Sequence, residues 1–99
     1  WIAGASNFLP DEHVALYKAC IESQDFIAGK KIMHAMMPIM ILLENGGKYP
    51  QYVKYGCELA GSPVGLTRQP LEALTGDEKA KFKRLWDALK ASPAARIAA

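Results

Sequence analysis

The chain has 99 residues, of which 51% are hydrophobic and 22% charged, enough for one small domain with one core. That length excludes a complete (β/α)8 barrel, which needs about 200 residues or more. Twelve basic and ten acidic residues are interspersed along it, and a net charge of +2 gives no electrostatic reason to expect a nucleic-acid or membrane partner.

Residues Trp1-Ile-Ala-Gly-Ala-Ser-Asn7 are short, apolar and bounded by Leu9-Pro10, and they read as one buried strand. A single strand cannot satisfy its own backbone hydrogen bonds, and no later stretch offers it a partner strand. Neighbouring structure is therefore expected upstream. Opening on Trp rather than Met agrees with a truncation there, as it would with a processed terminus.

Pro10-Asp-Glu12 places a proline and two acids in the first turn of a helix running to about Ser23, with Val14, Tyr17 and Ile21 as its buried stripe and Leu16 and Cys20 beside it. Asp25 can cap a second helix. Ile27, Met33, Met36, Met37, Met40 and Leu43 spread apolar surface around much of it, which predicts contact on two sides. Pro38 falls inside this pattern and should bend it, and Asn45-Gly46-Gly47 ends it. The apolar run from Ala35 to Leu43 is far shorter than the ~20 residues of a membrane span.

A third, short helix is expected from about 50 to 60, started by Pro50 and stopped by Gly61. Gly56 inside it costs roughly 1 kcal/mol against alanine, so something must pack closely over that backbone. Pro63, Gly65 and Pro70 then force an extended connection carrying Arg68. Thr75-Gly-Asp-Glu78 reads as a capping box opening a last helix to about Ala91, whose Phe82, Leu85, Trp86 and Leu89 form one apolar face. Residues 93–99 read as a loose tail.

Few side chains suggest chemistry. His13 and His34 have no carboxylate, serine or cysteine at a spacing that builds a triad or a metal site, and they read as surface or packing residues. Cys20 and Cys57 read as buried reduced thiols, and the expected compartment is the cytoplasm. The methionines of the second helix read as packing, and the basic face of the last helix as solvated surface. Lys54, set among Tyr49, Tyr52 and Tyr55, is the one candidate Schiff-base nucleophile.

Pro50-Gln-Tyr-Val-Lys54, Glu58-Leu-Ala-Gly61 and Arg68-Gln-Pro-Leu-Glu-Ala-Leu-Thr75, taken in order, resemble the carboxyl-terminal helical part of the dihydrodipicolinate synthase/N-acetylneuraminate lyase family. Gly4-Ala-Ser-Asn7 extends the likeness to the family's last barrel strand. Ala3-Gly-Ala5 and Gly46-Gly-Lys48 depart from its usual pattern, which leaves subfamily and substrate open. The resemblance implies a mostly α chain made of the last strand and closing helix of a TIM barrel (1–24) and a three-helix extension (25–92).

In that family a strand-borne lysine forms an imine with a 2-oxo acid for carbon–carbon bond formation or cleavage. The lysine, the catalytic tyrosine and the carboxylate-binding turn would all precede Trp1, and Lys54 matches a structural helical position. The resemblance therefore implies a class I aldolase or lyase whose catalytic residues lie outside this chain, with no cofactor or metal, and a homo-oligomer, tetramer or dimer. Ile2, Ala3 and Gly4 would line the substrate pocket, with Ser6 and Asn7 at the rim. The 99 residues alone would be inactive, their partner being the missing amino-terminal barrel portion. The alternative expectation is a self-sufficient helical interaction module without catalysis.

Overall fold

Pro10 supplies the fixed φ of a first helical turn, and Asp11 and Glu12 place two acids in that turn, so a helix starts there as expected. The structure, a computed structural model, describes residues 2–93. A 3-10 turn at Gly4–Asn7 leads into α1 (Pro10–Tyr17), which continues as a π-helical turn over Lys18–Glu22. There follow α2 (Phe26–Asn45), α3 (Tyr49–Leu59), a long extended connection, and α4 (Gly76–Ala91).

The caps fall where the sequence placed them. The Asp25 carboxylate accepts from the Ala28 N–H at 3.1 Å. Thr75 Oγ1 accepts from the Glu78 N–H at 3.2 Å while Glu78 Oε1 accepts from the Thr75 N–H at 2.8 Å, a complete capping box. At the end of α3, Gly61 takes a φ of +92°, and the N–H groups of Gly61 and Ser62 donate to the carbonyls of Glu58 and Cys57. This is a Schellman turn, and it sends the chain back along α3.

Phe8 closes the centre. Its ring lies 5.6 Å from Phe82 and 6.1 Å from Trp86, and Tyr52 stacks on the other side of the cluster, 5.7 Å from Phe82. A Cβ built on Gly56 would stand 2.5 Å from the Phe8 ring, so the close packing that glycine implied is Phe8 lying on the α3 backbone. From α2 the buried contributors are Gly29, Ile32, Met36, Ile39, Leu42 and Leu43. From α4, Phe82 and Leu89 are buried and Leu85 and Trp86 half-buried, the face expected for that helix.

The strand expected at the start of the chain does not form: no strand occurs among the described residues, and Gly4–Asn7 is a 3-10 turn. With no neighbouring strand to pair with, this backbone bonds locally. The N–H of Ser6 donates to Ala3, and those of Phe8 and Leu9 donate to Ala5. The buried stripe expected on α1 is also corrected. Val14, Tyr17 and Ile21 are exposed, whereas Glu12, His13 and Ala15 are buried.

Polar pairing decides that rotation. Lys90 on α4 donates to both carboxylate oxygens of Glu12, at 2.9 and 3.3 Å, and draws the acid inward. On α2, Met36 is buried and Met33 and Met40 half-buried, while Met37 and Ile27 are exposed. The helix runs past Pro38, which sits on its exposed side. Trp1 and Ala94–Ala99, and with them most of the expected tail, lie outside the described residues.

Candidate functional site

Side chains three, four and seven residues apart on a helix share one face, so Gln51 projects beside Lys54, Tyr55 and Glu58 along α3. Across from them run Pro63-Val-Gly-Leu-Thr67 and Ala73-Leu74 of the returning connection, with Lys79 from α4. Together these residues enclose a cleft of about 290 Å3. Tyr55, Pro63, Val64, Leu66 and Leu74 make its walls largely apolar, and Val64 and Leu66 are exposed to solvent.

The connection forms no regular structure, so its position depends on side-chain ties. Lys54 Nζ donates to the Leu66 carbonyl at 3.0 Å, and Gln51 Nε2 to the Glu72 carbonyl at 2.8 Å. Lys48 Nζ donates to the Ala73 carbonyl at 3.4 Å and pairs with Glu78 at 2.8 Å. Gly65, with φ +83°, makes the bend that a side chain would strain. Three residues of one short helix and its cap thus hold the far wall in place.

The hydrogen bond to Glu78 raises the Lys48 pKa above its ordinary value, and the same bond lowers that of Glu78, with the Thr75 N–H second. Burial pushes the Tyr52 phenol upward. Lys79 Nζ sits 5.7 Å from the centre of the Tyr55 ring. Gln51 is the most buried side chain of the lining at 8% exposure, and its Oε1 meets no donor from the protein. That acceptor is the one orphaned polar side-chain atom among the buried groups described.

Residues Ile2, Ala3 and Gly4, the pocket-lining candidates of the sequence, are not gathered into one site. Ile2 is fully exposed. Gly4 packs against the Tyr49 phenol so closely that a Cβ there would collide with its hydroxyl. Ala3 borders a separate shallow apolar depression with Ser6, His13, Val14 and Tyr17. Ser6 Oγ and Asn7 Nδ2 donate to the Ala3 and Gly4 carbonyls at 2.6 and 2.9 Å, closing the 3-10 turn.

His13 is buried with Nδ1 2.7 Å from the Leu9 carbonyl, and His34 is exposed on α2. Cys57 Sγ lies 3.6 Å from the Asn7 carbonyl, whereas Cys20 abuts Gly29. No group of three His, Cys, Asp or Glu side chains suited to a metal ion occurs among the described residues. Sequence reasoning passed over Gln51 because its partner, the Glu72 carbonyl, lies 21 residues away in an irregular segment. Its place on the Tyr55–Glu58 face was the available signal.

No family model, curated protein or solved structure matches the chain.

Proposed function

We propose that this chain is the carboxyl-terminal part of a pyruvate-type class I aldolase or lyase similar to dihydrodipicolinate synthase. The observation that carries the reading is the ordered series of motifs together with the helices it falls on. Pro50-Gln-Tyr-Val-Lys54 opens α3, Glu58-Leu-Ala-Gly61 ends it, and Arg68 to Thr75 spans the connection into the cap of α4. The exposed apolar side chains of Val14 on α1 and Ile21 in the π-helical turn that continues it support it further, because they offer surface to a further body of protein. In this reading the chain backs the substrate pocket near Ile2 to Gly4, closes the barrel and makes oligomer contacts. The imine-forming lysine belongs to the upstream portion.

Translating the DNA upstream of the Trp1 codon in frame tests this. About 200 codons encoding a strand-borne lysine, a tyrosine and a Gly-Thr-Thr-Gly-like turn are expected. Borohydride should then trap pyruvate covalently on the full-length product and leave the 99-residue chain unlabelled. A start codon directly before Trp1 would sink the reading.

The closed aromatic centre around Phe8 and Phe82 favours a second reading, a self-sufficient helical interaction module. A monodisperse monomer unfolding in one cooperative step distinguishes the module from a barrel remnant, which should self-associate.

A further inference from the structure

The sequence predicts contact on two sides of α2, and the described fold supplies one of them, through Ile32, Met36, Ile39 and Leu43. The other side is open. Ile27 is 73% exposed, Ile41 50% and Met37 39%. Residues 27, 30, 34, 37, 41 and 44 recur at steps of three and four and are all exposed, so they form one stripe along a helix about 30 Å long.

The charges on this stripe are ordered. Lys30 and Lys31 stand in the second turn and Glu44 in the last, and none of them enters an ion pair among the described residues. Each end therefore carries the sign that its own helix dipole disfavours, since the amino end is positive and the carboxyl end negative. A second α2 laid alongside in the opposite direction reverses both mismatches. It brings the partner's Glu44 and carboxyl end to Lys30 and Lys31, and by two-fold symmetry the converse at the other end.

The rest of the stripe fits the same arrangement. Met37 lies midway between Lys30 and Glu44, so the symmetry axis falls on it, and Met37 meets its own copy while Ile41 meets the partner's His34. Ile27 then reaches the partner's Gly47, where an added Cβ would find nothing within 4 Å. An arbitrary apolar surface would bury Met37 and Ile41 equally well. A reversed copy also supplies an acid at Lys30, a base at Glu44 and a gap at Ile27.

We propose that α2 pairs antiparallel with α2 of a second copy of this chain, across a two-fold axis at Met37. The pairing uses only the outer side of α2 and holds whichever function the chain serves.

Sedimentation equilibrium tests this on the 99-residue chain carrying Val14→Glu and Ile21→Lys, which disables the exposed apolar surface of α1 and the turn after it. A monomer–dimer equilibrium with a Kd of about 100 μM is expected, because one helix pair buries less than the roughly 800 Å2 per partner of a standard interface. Met37→Lys sets two ammonium groups against each other on the axis and should weaken the dimer at least about 10-fold. Glu44→Lys should weaken it about 3- to 10-fold, two pairs being lost per dimer. Reversing all three charges, with Lys30→Glu and Lys31→Glu added to Glu44→Lys, should return the Kd to within about 3-fold of its starting value.

These positions are exposed, and the reversed charges suit the dipole of their own helix, so a weaker dimer would not reflect a weaker fold. A chain that stays monomeric up to about 1 mM overturns the proposal. So does a dimer indifferent to Met37→Lys, or a triple reversal that associates no more tightly than Glu44→Lys alone.

Discussion

Lys90 Nζ lies 2.9 Å from Glu12 Oε2, across 78 residues of chain, and also 4.7 Å from the centre of the Trp86 ring. The two ends of the pair sit in different surroundings. The Glu12 side chain is 4% exposed and that of Lys90 36%, so the acid depends on the pair more than the base does. Lys90→Met leaves a buried carboxylate unpaired and should cost about 2–4 kcal/mol. Glu12→Gln leaves an ammonium that can turn to water and should cost about 1 kcal/mol. Urea unfolding of both variants checks the asymmetry; equal losses would refute it.

Gly56→Ala would ordinarily stabilise a helix by about 1 kcal/mol. Here the added methyl meets the Phe8 ring at 2.5 Å, and overpacking of about 1–3 kcal/mol should leave the variant less stable than the parent. Because the two sites touch, Gly56→Ala should be less harmful in a Phe8→Leu background than alone. A double-mutant cycle measured by denaturant midpoints reads this coupling.

Glu78 closes the capping box and pairs with Lys48, and its pKa is lowered in the fold. In the acid range the unfolded chain therefore binds the proton more readily than the folded one. The contribution of Glu78 is present above its ordinary pKa of 4.5 and is lost as pH falls through the depressed folded value. The difference in Tm between the parent and Glu78→Gln should shrink steadily below pH 4.5. Lys48 works in the opposite sense. Its raised pKa gives stability that is present below 10.5 and lost as pH rises through the higher folded value.

Thr75→Ala removes the other arm of the box and should cost about 1 kcal/mol. The loss should be seen in amide exchange first at the start of α4 and at Ala73, since Lys48 links the two.

Val14 and Ile21 present apolar surface without a core role. Val14→Glu with Ile21→Lys should change unfolding free energy by less than about 0.5 kcal/mol per site while lowering concentration-dependent association in sedimentation. A large stability loss would place these side chains in the core after all.

Helix positions were legible wherever a local signal carried them. Asp25, Thr75 with Glu78, Pro50 and Gly61 act through neighbours three to five residues away, and each capped or turned as its sequence implied. The rotation of α1 was not legible, because the ion pair that turns Glu12 inward comes from Lys90 at the other end of the described chain. Nor was the turn at Gly4–Asn7, whose composition suits a strand and whose conformation depends on whether a partner strand is present. The cleft escaped for a related reason. Its far wall is an irregular segment positioned by Lys48, Gln51 and Lys54, and no periodicity announces that a carbonyl will be held by a lysine.

The Phe82 ring touches Phe8, Tyr52 and Tyr55, three residues made well before it. On a ribosome adding about 5–20 residues per second, those rings wait uncovered for seconds until α4 emerges to seal them. The nascent chain therefore passes through a stage in which its aromatic centre faces the solvent. Premature termination ahead of Phe82 would strand it there, as a collapsed and aggregation-prone product rather than a shorter native one.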